Sequence, residues 1–358
     1  MRTSVIDGIT FNEICGAVHL HTTYSDGGVS FKELIDAARE IGLDYIAVTD
    51  HMTMDGRRDG YEGRHGDLQV IVGYEHNDRS NRNHYLVLGT DAVFGHLDCA
   101  GEYVKMVKEA GGIGFIAHPS EKRDYFGTLP PYPWTEWAVT GFDGIELWNQ
   151  MSNWMEQLKS WISFIRLFYP RRFLSNIDPD LLARWDALNR TRFVGGIGGV
   201  DAHTRRLKFL MFHRTIFPIK IELKGIRTHL YLEESKQDVS KENIIAALKS
   251  GRGFISNFRR GDARGTVMFL EYPDGSIRLP GNAGTDSQKP PQLPAILHCR
   301  LPIKADVHFI RNGKIESGKT GSKLEFSIME PGVYRLEIVR NDKAWIYSNP
   351  FPVGSYPL

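Results

Sequence analysis

The segment Gly16-Ala-Val-His-Leu-His-Thr-Thr-Tyr-Ser-Asp-Gly-Gly28 sets His19 and His21 two residues apart, the spacing that puts side chains on one face of a strand. Two imidazoles so placed can hold one ion. Asp26, on the Ser25-Asp26-Gly27-Gly28 turn, can bring a carboxylate to the same pocket. Further along, His51, Glu75, His84, His118 and the pair Asp201 and His203 recur at or beside the ends of short apolar runs. A single histidine of this kind is ordinarily a core or surface residue. Nine imidazoles and carboxylates at equivalent topological positions need a common cause, and a divalent metal centre supplies one. Nine donors exceed the needs of one ion and suit two or three closely spaced ions, the arrangement that activates water and clamps an oxyanion. Asp26, Glu75, Asp201 and His203 are expected to serve the chemistry as well as the coordination. Ligation by nitrogen and oxygen alone suits Zn, Mn and Fe alike.

Two cations sharing a water lower its pKa enough to supply hydroxide near neutral pH, so hydrolysis requires no protein nucleophile. An anionic substrate also wants cationic donors. Arg205 and Arg206 follow Asp201-Ala-His203 directly, and Lys122 and Arg123 follow His118-Pro119; Arg205, Arg206 and Arg123 are the expected substrate-binding residues. His76, adjacent to Glu75 in a strand, should point to the opposite face.

The elements that position these residues read as alternating strands and helices. Ser30-Phe-Lys-Glu33 has the form of a capping box opening an amphipathic helix that stops at Gly42, and Asp44 to His51 reads as a buried strand. Leu68–Glu75, His84–Gly89, Ile113–Pro119, Phe142–Asn149 and Val194–His203 repeat the strand pattern, with a helix over about 97–110 stopped by Gly111-Gly112. Parallel βα units presenting polar groups at their C-terminal rim point to an α/β fold with barrel-like closure. A Trp-rich insertion at about 150–192 should hold two helices. Its stripe of Trp154, Leu158, Trp161 and Ile165 is either core or an aromatic roof over the pocket. After Asn257 short apolar runs alternate with turns such as Arg311-Asn-Gly313, as in a small β-sandwich. The expected division is therefore a metallohydrolase barrel over 1–257 and an all-β accessory domain over 258–358.

Composition narrows the function classes. The 358 residues carry 44 Lys+Arg against 43 Asp+Glu, a formal charge of +1 with no basic block, which argues against a nucleic-acid partner or an anionic membrane surface. Cys15, Cys99 and Cys299 are too few and too scattered for a disulfide framework or a Cys-x-x-Cys zinc site. No signal peptide or membrane span is visible, so a cytoplasmic location is expected.

Taken in order, His19-x-His21 with Ser25-Asp26-Gly27, Thr49-Asp50-His51, Gly73-Tyr-Glu75, His84-Tyr-Leu-Val-Leu, Ala117-His118-Pro119 and Asp201-x-His203 resemble the successive motifs of the PHP (polymerase and histidinol phosphatase) family. The resemblance spans residues 16 to 203. It implies a distorted (βα)7 barrel and a trinuclear Zn, Mn or Fe site hydrolysing phosphoesters. By motif position, one ion would take His19, His21, Glu75 and Asp201, a second Asp26, His51 and His203, and a third Glu75, His84 and His118, with Glu75 bridging. Asp26 stands where many relatives have His. The segments Ile145–Asn149, Arg227–Leu232 and Ala246–Ser256 are similar to a stand-alone branch that includes carbaryl-hydrolase-like enzymes. The expected activity is thus hydrolysis of a small phosphomonoester, cyclic phosphate or short nucleotide, with a carbamate or other non-phosphate ester as the alternative. A repair nuclease and a catalytically silent scaffold are the remaining readings, and oligomeric state is left open.

Overall fold

The computed structural model describes residues 1–123, 130–158, 171–172, 174–209, 212–232, 238–281 and 293–354, without the side chains of 206–209 and 212–214. Contacts divide the chain into two compact units, one of Gly16–Ser175 with Gly198–Arg227, the other of Met1–Cys15, Asn176–Ile197 and Thr228–Leu358.

The first unit is α/β. The strand Ile9–Leu20 enters it at Gly16 and pairs in parallel with Tyr45–Val48 (Gly16 opposite Tyr45) and with the end of Gly195–Ala202 (Gly199 opposite Val18). Tyr45–Val48 pairs in parallel with Leu68–Val72, whose direction is continued after Gly73 by Tyr74–His76. These strands read as near-continuous apolar runs because both faces are covered. The helix Phe31–Glu40 turns Phe31, Leu34, Ile35, Ala37 and Ala38 inward. Its capping box is formed as the sequence suggests, with the Ser30 hydroxyl accepting from the Glu33 backbone N–H and the Glu33 carboxylate accepting from the Ser30 N–H at 2.9 Å.

One strand departs from the expected parallel scheme. Tyr85–Leu88 runs antiparallel both to Tyr74–His76 and to Ile113–Ile116, and the parallel direction resumes between Ile113–Ile116 and Gly144–Asn149. The connection 77–84 is too short for the crossover that a parallel neighbour requires, so the chain can only turn back. The helix Ala100–Glu109 then buries Ala100, Tyr103, Val104 and Val107. Of the expected insertion, the helix Gln150–Met155 belongs to this unit, while Trp161 and Ile165 lie outside the described residues.

The second unit contains the helices Pro179–Thr191 and Lys241–Ser250 and an antiparallel sheet. Its longest pair, Ala295–Arg311 with Lys314–Ile328, turns at Asn312 and Gly313, whose φ angles of 51° and 81° are those of a primed hairpin turn. The contact division differs from a boundary at residue 257. Gly253–Asn257 pairs with Lys343–Ser348 (Phe254 opposite Ser348), and Tyr231 and Phe254 share an apolar core with Leu270, Leu297, Ile338 and Trp345. Burial of those two rings carries 228–257 with the C-terminal strands. Among the described residues, no helix is long and apolar enough to cross a membrane.

Candidate metal centre

Two strand irregularities aim the first donors. In Ile9–Leu20 the register against Tyr45–Val48 shifts between Ala17 and Leu20, and in Gly195–Ala202 the register against Ile9–Leu20 shifts between Gly199 and Ala202. His19 and Asp201 sit in these shifts with φ of 60° and 54°, a left-handed backbone that L residues avoid unless the surroundings enforce it. Simple alternation puts His19 and His21 on one face; the observed geometry is a bulge that turns His19 inward just before the strand ends. His118 follows its strand in the same strained region, at φ 28°.

Glu75 lies at the middle. Its Oε2 is 3.0 Å from His19 Nε2, 3.2 Å from His21 Nε2 and 3.5 Å from His51 Nδ1. Its other oxygen, Oε1, is 2.8 Å from His84 Nδ1 and 3.1 Å from His118 Nε2. Asp201 Oδ1 faces His19 Nε2 (3.5 Å), His21 Nε2 (3.4 Å) and His203 Nδ1 (3.2 Å). Asp26 reaches His203 Nε2 at 3.0 Å and His51 Nε2 at 3.8 Å. All nine residues singled out from the sequence thus meet in one place.

The donor set suits divalent cations. Two donors each about 2.1 Å from an ion, at right-angled to tetrahedral separation, stand about 3.0–3.4 Å apart, and most of these nitrogen–oxygen spacings fall close to that interval. Both ring nitrogens of His21 and Nε2 of His84 are buried, and neither the Glu75 and Asp201 oxygens near His21 nor any other group of the described residues meets them in hydrogen-bond geometry, which costs free energy unless a cation takes the lone pair of each ring. Donor atoms fall into four overlapping groups that could each hold an ion: His21, Asp26, His51 and His203; His19, His118 and Asp201; His19, His21 and Glu75; and His51, Glu75 and His84. The grouping differs in detail from the one that motif position implies, since His21 also stands with Asp26, its ring centroid 4.7 Å from that of His51 and 4.5 Å from that of His203.

Without cations, protons take their place. Burial lowers the affinity of the His19 and His203 rings for a proton. The carboxylates outweigh burial, Glu146, Glu75 and Asp201 for His19 and Asp201 and Asp26 for His203, so both rings are held well above the usual histidine range. The same contest, with Glu75 and Glu121 as the charges, raises His118 to about 9. His51 goes the other way, to about 4, because burial prevails and His21 and His84 add positive charge. Burial opposes ionisation of Glu75 and Asp201 as well, yet the surrounding imidazoles, His19 foremost, hold both well below the carboxylate range.

A second set of residues, not singled out from the sequence, holds the donors in place. Glu146 accepts from His19 Nδ1 at 2.8 Å, on the ring edge away from Glu75, and from the His118 backbone N–H at 2.7 Å. Asn149 donates to Glu146 (2.9 Å) and to Asp201 (3.2 Å). Asp50 accepts from the Thr22 N–H (2.7 Å), the Thr22 hydroxyl (2.7 Å) and the Ser25 hydroxyl (2.6 Å), which fixes the loop carrying Asp26. A charged residue inside the apolar run Gly144–Asn149 was the available signal for Glu146. His76 is buried on the opposite face, as expected, with its ring 4.2 Å from that of Tyr103.

A cavity of about 410 Å³ opens over the donors. Arg123 and Arg205 line it. Arg123 forms an ion pair with Glu121, its Nε 3.0 Å from Oε1 though not in hydrogen-bond geometry, and its guanidinium lies 5.5 Å from the Tyr132 ring centroid. Arg205 is exposed, and the side chain of Arg206 lies outside the described residues. The lining also includes six apolar side chains, Met151, Trp154, Met155, Leu158, Ile216 and Phe217.

A family model for the PHP domain matches residues 17–113. A 46-residue stretch is 41% identical to the DNA polymerase/3'-5' exonuclease PolX of Bacillus subtilis (strain 168), covering 13% of this chain and 8% of that protein. Among solved structures, a two-domain protein of Bacteroides vulgatus containing a predicted PHP-like metal-dependent phosphoesterase aligns over 98% of both chains at 14% identity and a TM-score of 0.49. Endonuclease Q, in complex with a 27-mer duplex bearing an abasic lesion, aligns over 66% of this chain and 56% of its own, at 14% identity and a TM-score of 0.42.

Proposed function

We propose that this chain is a metal-dependent hydrolase of the PHP type that cleaves phosphoesters at a centre of two or three divalent ions, Zn, Mn or Fe. The observation that carries the reading is the division of Glu75, one oxygen toward His19, His21 and His51 and the other toward His84 and His118. A carboxylate so placed can serve two sites at once. Bound divalent ions would supply Lewis-acid charge and a water acidic enough to ionise near pH 7. The nine side chains would hold those ions, with Asp26 and His203 on the more exposed side of the cluster where they could also orient a proton. Arg123, fixed by Glu121 and Tyr132, and Arg205 offer guanidinium donors to a phosphate. Glu146, Asn149 and Asp50 are positioning residues.

The same reading extends to the fold. Pairings run from Ile9–Leu20 through Tyr45–Val48, Leu68–His76, Tyr85–Leu88, Ile113–Ile116 and Gly144–Asn149 to Gly195–Ala202 and back, a circuit that supports a distorted seven-stranded barrel with one reversed strand. The strands after residue 257 are assigned an accessory role without metal ligands.

A nuclease is the second reading, favoured by the local match to PolX and opposed by a formal charge of only +1. A carbamate ester, suggested by the looser likeness of residues 145–149, 227–232 and 246–256, is the third. Metal analysis combined with turnover of p-nitrophenyl phosphate, its bis-ester, a carbamate ester and single-stranded DNA separates them. The proposal expects at least two ions per chain and phosphoester cleavage lost on chelation. Cleavage of the carbamate alone, or full activity after metal removal, would contradict it.

A further inference from the structure

Part of the cavity lining has a composition that phosphoester hydrolysis does not require. Six apolar side chains, Met151, Trp154, Met155, Leu158, Ile216 and Phe217, line the cavity together with the imidazoles and carboxylates. Trp154 and Phe217 pack edge to face with centroids 4.5 Å apart, which sets a stiff aromatic corner, and Met151 and Met155 present polarisable thioethers on one turn of the helix Gln150–Met155. Among the described residues these six offer hydrocarbon, sulfur and an indole, and outside the donor carboxylates Asp26, Glu75 and Asp201 the lining carries one oxygen-bearing side chain, the Tyr132 phenol. A polyhydroxylated group such as a sugar placed against these six would leave hydroxyls unpaired at about 1–3 kcal/mol each. A flat apolar group would instead gain the burial free energy of its own surface.

We infer that the cavity selects phosphoesters whose organic portion is a flat apolar group, Arg123 and Arg205 taking the phosphate end and the Trp154–Phe217 corner the other. The inference rests on the phosphoester reading above. The volume agrees with it, since about 410 Å³ lies at the lower end of small-ligand cavities and holds a two-ring group with one phosphate. The tether of Arg123 to Glu121 also acts here. Glu121 accepts from the Ser152 hydroxyl at 2.7 Å, so the cationic end and the apolar helix are fixed to one carboxylate and keep a set separation.

The test is binding rather than turnover, with three inert probes titrated by calorimetry into the metal-loaded protein: 1-naphthylmethylphosphonate, methylphosphonate and 1-naphthalenemethanol. The naphthyl phosphonate should bind about 30-fold or more tighter than methylphosphonate, as burial of roughly one ring system implies. Trp154→Ala should shrink that ratio about tenfold; because Trp154 is itself buried, Met155→Gln, of nearly equal volume, is the second variant and should shrink it several-fold. Equal affinity for the two phosphonates in the parent protein, or an unaltered ratio in both variants, would overturn the inference and leave the phosphoester reading standing. Naphthalenemethanol binding as tightly as its phosphonate would sink the phosphoester reading while leaving the apolar corner in place. Failure of all three probes to bind would overturn both.

Discussion

Glu146 accepts from Nδ1 of His19 and so fixes the opposite nitrogen, Nε2, toward Glu75 and Asp201. Glu146→Gln keeps the shape and removes the charge, and metal affinity should fall about 10-fold, toward 100-fold if the ring reorients, read from chelator competition. Unchanged affinity would remove Glu146 from the positioning set. Protonation gives a second residue-level expectation. His118 rises from its ordinary 6.5 to about 9, so its contact with Glu75 stabilises the metal-free protein fully below pH 6.5 and loses that contribution as pH climbs to 9. His229, raised to about 9 by Cys15 and Glu13 against burial, loses stability in the same window whether or not metal is present. The readout is therefore the difference: between pH 6.5 and 9 the thermal midpoint of the metal-free protein should fall more steeply than that of the loaded one, and parallel profiles would contradict it. The nine donors were legible because histidines and carboxylates recur beside apolar runs. Glu146 and Asn149 were not, because a polar residue inside a buried strand signals burial of a partner without naming it.

At the scale of elements, the centre depends on two bulges. Gly199 lies beside the one that carries Asp201, and a Cβ there would overlap Oε1 of Glu146 and stand 2.9 Å from the Cβ of His19. Gly199→Ala should therefore displace the His19–Glu146 pair, costing about 1–3 kcal/mol of stability and lowering bound metal at limiting concentration. Urea unfolding with metal analysis checks this; a variant with the parent's stability and metal content would show that the strand yields. Strand and helix positions were readable from apolar runs and the Ser30–Glu33 box. The bulges and the reversed strand Tyr85–Leu88 were not, because strand direction is decided by pairing partners far apart in sequence.

At the scale of the whole molecule, the donor groups among the described residues all fall within the unit of Gly16–Ser175 and Gly198–Arg227. The other unit has its own fixed points. Arg335 makes a two-pronged contact with Asp186, 2.7 Å and 2.8 Å, both side chains nearly buried. Asp186→Ala would leave the guanidinium with Glu337 alone as its carboxylate partner and should cost about 1–3 kcal/mol, while metal per folded chain stays at the parent's value; loss of metal would show that the centre depends on that unit. The sequence marked the all-β pattern but not where contacts divide the chain, since Tyr231 and Phe254 look alike whichever core they join. The central claim is that Glu75 serves two sites and His203 one. Its most direct test measures bound metal per chain and phosphoester turnover for Glu75→Gln and His203→Ala across a Mn²⁺ titration. Excess metal should restore part of the activity of His203→Ala and very little of that of Glu75→Gln. Equal rescue of the two, or a Glu75→Gln protein with full metal and near-normal turnover, would contradict the account.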